Sequence, residues 1–165
     1  MVEAYKMYID GNFVDSTNKV TFESYNPENN TAWSSFPEAS IDDVDKAVGS
    51  AKKAFKTWSA LDVKVRAEYL RAIGDQLFDN AEHIGRIETI DSGKLLKETK
   101  FQAQYMKEYF HYYASLVEEM SNEKIIQDID KPDMEVVEVS EPIGVIACVI
   151  PVSYTHLRAH ETDSH

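Results

Sequence analysis

One apolar run near the end of the sequence constrains the fold more than any other feature. Gly144 to Ile150 is continuous and rich in valine and isoleucine, which is typical of a strand buried on both faces of a parallel sheet. Parallel strands are joined by crossovers of a dozen or more residues, yet only 15 residues follow Ile150. We therefore expect this segment to be the first strand of an incomplete sheet.

Helical patterns fill most of the sequence before that run. Apolar residues recur at helical spacing in four segments, and Ser40 with Asp43 resembles a capping box at the start of the first. Gly93 suits the left-handed C-terminal cap of the third. The predicted helices cover Ile41–Trp58, Val63–Asn80, a short stretch through Ile84, Ile87 and Ile90, and Leu95–Met120. An aromatic stripe on the fourth helix is predicted to pack in the core: Phe101, Tyr105, Tyr109, Tyr112, Leu116 and Met120.

Short β segments lie on both sides of the helices. They are a hairpin over 8–14 around Asp10-Gly11-Asn12, a run from Val20 to Tyr25, and a two-stranded excursion within 122–140 around Lys131-Pro132-Asp133. Gly11 supplies the positive φ that a tight hairpin needs. Together with the helices, these segments predict an α/β chain.

Charge and cysteine content exclude several classes of protein. The net charge of −12 argues against electrostatic binding to nucleic acid or to an anionic membrane. No apolar run has the length of a signal peptide core or a membrane span. Cys148 is the only cysteine, so no internal disulfide can form, which fits a reducing, cytoplasmic environment.

Residue chemistry alone predicts no catalytic or metal site. Cys148 could act as a nucleophile, but its place within an apolar run favours a buried structural thiol. Ser92-Gly93-Lys94 is similar to the end of a phosphate loop, although Glu88 stands where that loop needs glycine, so a helix cap is favoured. Three histidines, at positions 156, 160 and 165, crowd the last ten residues. Their spacing does not match a zinc-protease motif, because Ser164 replaces the second histidine.

The order of the segments resembles the aldehyde dehydrogenase family from about residue 7 to residue 151. The matching stretches are YIDGNFV at 8–14, YNPEN at 25–29, FPEASIDDVDKAVGSAKKAFKTWS at 36–59, RAEYLRAIGDQL at 66–77, IETIDSGKLLKE at 87–98 and EPIGVIACVIP at 141–151. Each stretch alone is modest. Six in the right order and spacing are difficult to obtain by chance.

This resemblance implies a fold and a reaction. Residues 1–151 would be the N-terminal part of an incomplete Rossmann-like cofactor-binding domain, with 122–140 reaching toward an oligomerisation domain. Ile150 and Pro151 would lie where the strand end meets the cofactor. The intact parent would be a homo-oligomer that oxidises an aldehyde to a carboxylic acid with NAD or NADP, and this chain would bind neither cofactor tightly.

The resemblance stops abruptly after Pro151. The family continues with Pro-Trp-Asn, whose asparagine helps to form an oxyanion hole, whereas this chain continues with Val152 and Ser153. The family's catalytic cysteine, its glutamate general base and its ribose-binding lysine do not follow. The stretch VSYTHLRAHET at 152–162 resembles a translated sequencing adapter. The resemblance therefore implies that 152–165 is an artefactual tail and that the chain is inactive.

Two other classes of function remain open on sequence grounds. One is a non-catalytic module that pairs with intact subunits by strand addition through 122–140. The other is an unrelated helical structural domain, which would lack a strand over 143–150.

Overall fold

The computed structural model describes residues 2–120, 123–126 and 134–149. Short strands come first, four helices follow, and a two-stranded ribbon comes last. The strands are β1 (Glu3–Ala4), β2 (Met7–Ile9), β3 (Asn12–Val14), β4 (Thr21–Asn26), β5 (Thr31–Pro37), β6 (Glu123–Ile126) and β7 (Val136–Val139). The helices are α1 (Ile41–Trp58), α2 (Val63–Asp79), α3 (Ala81–Ser92) and α4 (Leu96–Glu119). The α/β prediction is confirmed.

The β strands form three small, separate sheets. β2 and β3 are the predicted antiparallel hairpin, and Asp10 (φ 52°) and Gly11 (φ 77°) both have the positive φ of a tight two-residue turn. β5 lies between β1, which runs parallel to it, and β4, which runs antiparallel. β6 pairs with β7 in antiparallel register, as expected for the excursion over 122–140.

A single buried carboxylate fixes the start of α1. Asp43 is 3% exposed and accepts hydrogen bonds from the backbone amide and the hydroxyl of Ser40, while the Asp43 amide donates to the Ser40 hydroxyl. The predicted capping box is therefore confirmed, with aspartate in place of the usual glutamate. Asp43 also accepts hydrogen bonds from the amide and hydroxyl of Thr17. The loop after β3 is thereby held against the first turn of α1.

The helical core is built from small residues that let α4 approach α2 and α3 closely. Its buried apolar side chains are all alanine: Ala67, Ala81, Ala103 and Ala114. A Cβ added at Gly74 of α2 would lie 2.9 Å from the Cβ of Phe110, and one at Gly85 of α3 would lie 2.8 Å from the backbone nitrogen of Lys100. The hydroxyl of the fully buried Thr99 donates to the Gly85 carbonyl at 2.9 Å.

The aromatic stripe of α4 is not in this core, and its predicted core packing is wrong. Its six residues are all exposed, from Leu116 at 38% to Phe101 and Met120 at 61%. The helical periodicity is present, but the described residues contain no element that covers this face. The opposite face of α4 contacts α2 and α3.

Candidate functional site

The residues predicted to meet the cofactor, Ile150 and Pro151, lie outside the described residues. The structure describes the segment that leads to them, and we call residues 140–149 the strap. No residue of the strap belongs to a strand. Its glycine, Gly144, has a φ of +117°, a value that side-chain-bearing residues rarely adopt.

The predicted strand over 144–150 is therefore wrong for its described part, 144–149. Ile143 is 90% exposed, Ile146 72% and Val149 86%. A strand buried on both faces needs a hydrogen-bonding neighbour on each side and a cover for its side chains. No strand among the described residues pairs with the strap, so its apolar side chains remain in solvent.

Cys148 has the same environment, and the prediction of a buried structural thiol is also wrong. The cysteine is exposed because the segment that should bury it has no sheet around it. In the part of the chain that the structure describes, no group of three or more His, Cys, Asp or Glu side chains could hold a metal ion. The histidines at 156, 160 and 165 lie outside the described residues.

The strap lines one side of a groove of about 660 Å³, and the junction between α1 and α2 lines the other. Phe55, Trp58 and Leu61 are on the junction side, and Pro142, Ile143 and Ile146 are on the strap side. Asp62 caps α2 by accepting from the Lys64 amide, and the guanidinium of Arg66 donates to the Leu61 carbonyl. These polar contacts fix the junction backbone. The groove was not predicted, because only the order α1–turn–α2 was visible in the sequence.

The helix-cap interpretation of Ser92-Gly93-Lys94 is confirmed. Gly93 has a φ of +74° and its amide donates to the Thr89 carbonyl, which ends α3. The Lys94 ammonium lies 2.6 Å from the Glu88 carboxylate, and the Lys94 side chain is only 6% exposed. The lysine is therefore part of an internal ion pair and is not presented to a phosphate group.

Ion pairs across α2 and α4 shift the pKa of two carboxyl groups. The ammonium of Lys107 at 2.8 Å, together with His111 at 3.0 Å, holds the pKa of Asp75 below its usual value. The Arg71 guanidinium, which binds both oxygens of Glu118, lowers the pKa of that carboxyl. Both groups join helices, and neither lies in a groove with a nucleophile. They stabilise the helix pair and do not form a catalytic dyad.

The described residues also contain no helix long and apolar enough to cross a membrane. Among the residues that the structure describes, no catalytic group is assembled.

Comparison with known proteins identifies what this arrangement resembles. The profile of the "Aldehyde dehydrogenase family" matches residues 13–159, which extends past Pro151. A curated relative, (Z)-2-((N-methylformamido)methylene)-5-hydroxybutyrolactone dehydrogenase of Acinetobacter baylyi, is 36% identical over 152 residues. That match covers 91% of this chain and 30% of the relative.

Solved structures give the same result. Betaine aldehyde dehydrogenase of Staphylococcus aureus, in complex with NAD+, superposes with a TM-score of 0.76 at 33% identity and covers 83% of this chain. An NAD-dependent aldehyde dehydrogenase of Sinorhizobium meliloti superposes with a TM-score of 0.73 at 25% identity over 78% of the chain. The matched part is only 27% of the first structure and 26% of the second.

Proposed function

Because the chain belongs to the aldehyde dehydrogenase family, we propose that it forms the N-terminal part of the cofactor-binding domain of an enzyme that oxidises an aldehyde to a carboxylic acid. The supporting observation is the family match over 13–159, which spans most of the chain. One further feature supports this assignment, the superposition on NAD+-bound betaine aldehyde dehydrogenase. We propose NAD or NADP as the cofactor of the whole enzyme.

The described residues do not fit a bound dinucleotide by themselves. A pyrophosphate is held by a glycine-rich turn at a helix N-terminus, and no Gly-x-Gly-x-x-Gly occurs in the sequence. Val145, Ile146 and Val149 of the strap carry no positive charge or side-chain donor. This chain therefore contributes scaffold and one edge of the cofactor pocket, with Ile150 and Pro151 proposed at the contact. No chemical step is assigned to its residues.

The reaction of this family would need groups that the chain does not assemble. Oxidation of an aldehyde through a thioester requires a thiolate nucleophile, an oxyanion hole and a base that activates water. The only thiol here is Cys148, which lies exposed on the strap. Proximity between reacting groups cannot arise without the groups. We therefore propose that the 165-residue chain alone is inactive.

A direct assay tests that part of the proposal. The purified chain is incubated with NAD or NADP and a panel of aldehydes, and the absorbance of the reduced nicotinamide is followed. The expected rate equals that of buffer, while the Staphylococcus aureus betaine aldehyde dehydrogenase serves as the active control. A rate that scales with the concentration of this chain, and is lost in Cys148→Ser, would contradict it.

A chimera tests the family role itself. The segment of the Staphylococcus aureus enzyme that superposes on this chain is replaced by residues 1–149. Because the folds correspond, the chimera is expected to retain NAD-dependent oxidation of betaine aldehyde. A chimera that folds and oligomerises like its parent but neither binds NAD nor turns over would contradict the proposed role. A second chimera carrying Gly85→Val, which breaks the α3–α4 approach, is the matched negative control.

The ribbon β6–β7 supports a second candidate function, a strand-pairing interaction module. Val136, Val137 and Val139 of β7 are all exposed, and a two-stranded ribbon is marginal alone. Pairing with another subunit would cover it, and we propose a homo-oligomer for the whole enzyme. Val137→Lys should reduce self-association in sedimentation, whereas Glu138→Lys, its neighbour in the strand, should change it less. The unrelated helical domain is excluded by the family match.

We propose a cytoplasmic location from the amino-acid composition. A single cysteine, which can form no internal disulfide, fits a protein of the reducing cytoplasm. We also propose that the protein binds no nucleic acid, because an acidic surface repels the phosphate backbone.

A further inference from the structure

We draw no further inference here: the strongest candidate, the apolar groove that Leu70, Met106 and Tyr109 line between α2 and α4, is continuous with the exposed aromatic stripe, and nothing in the part of the chain that the structure describes shows what covers it.

Discussion

The two faces of α4 differ in an unexpected way: one face buries small side chains, and the other leaves large side chains exposed. The face toward α2 and α3 buries Thr99, Ala103 and Ala114. It lies so close to Gly74 and Gly85 that a Cβ added at either glycine would come within 2.9 Å or 2.8 Å of its atoms. The other face carries the aromatic stripe, where Phe101 and Tyr105 stack at 5.8 Å and remain in solvent. The small residues thus make the close contacts of this chain. The large residues form an exposed, mostly aromatic surface.

The largest effect should come from filling the glycine contact between α3 and α4. In Gly85→Ala the new Cβ would lie 2.8 Å and 2.9 Å from backbone atoms of Lys100, so the helices must separate. Overpacking of this kind costs about 1–3 kcal/mol, measured as a lower urea midpoint. Gly49→Ala is the matched control, because its Cβ meets open space and alanine should stabilise α1 by up to about 1 kcal/mol. Equal urea midpoints for Gly85→Ala and Gly49→Ala would contradict the close approach of α3 and α4 at Gly85.

A smaller loss is expected from the buried hydroxyl at the same crossing. Thr99→Val removes the contacts to the Gly85 carbonyl at 2.9 Å and to the Thr89 hydroxyl at 3.0 Å. Because these two groups lose their hydrogen-bond partner, the free energy of unfolding measured with a chemical denaturant should fall by about 1–2 kcal/mol. Thr57→Val, an exposed threonine of α1 whose hydroxyl donates to Ala54, should be near neutral. A neutral result for Thr99→Val would show that water reaches this crossing.

The ion pairs at the rim of the packed face should make α2–α4 packing sensitive to acid. The pKa of Asp75 is lowered chiefly by Lys107, so the folded state holds that proton less tightly than the unfolded state. Its contribution is complete above the unfolded pKa of about 3.9 and is lost as the pH falls through the folded value. Urea midpoints at about pH 6 and about pH 3 should differ less in Asp75→Asn than in the parent. An identical pH dependence in both proteins would contradict the role of this pair.

The smallest change in stability should come from the aromatic stripe. Tyr105→Gln replaces a half-exposed ring with a good helix former, and we expect the unfolding free energy to change by less than about 0.5 kcal/mol. Binding of an apolar fluorescent dye should nevertheless fall clearly, because the stripe supplies exposed apolar surface. A large loss of stability in this variant would show that the stripe is buried after all, and would remove the distinction between the two faces.

The sequence predicted those parts of the fold that local chemistry determines. The hairpin turn at Asp10-Gly11, the capping box at Ser40 and the α3 cap at Gly93 were all predicted, because each depends on neighbouring residues. Strand β5 (Thr31–Pro37) was missed, since its TAWSSFP sequence has no alternation and few β-branched residues. The turn Glu28–Asn30 before it, with Asn30 at positive φ, was the available signal.

Burial was the property that the sequence predicted least well. Periodicity marks which residues share a face, but it does not say whether another element covers that face. The three errors, at the aromatic stripe, at the buried strand over 144–149 and at Cys148, have this origin. For the candidate site, Ile150 and Pro151 stay predictions, and the groove beside Trp58 depends on a long-range approach of the strap that no local pattern encodes.

The bonding of Asp43 also has a kinetic consequence. The same carboxylate closes the first turn of α1 and binds Thr17, which lies 26 positions earlier in the chain. Bringing together residues this far apart costs more loop-closure entropy than closing a single helical turn. Once the capping box has formed, however, the carboxylate is already oriented toward the incoming backbone amide. The first turn of α1 should therefore form before the N-terminal hairpin docks, and its formation should accelerate that docking. Asp43 links the two events because it takes part in both.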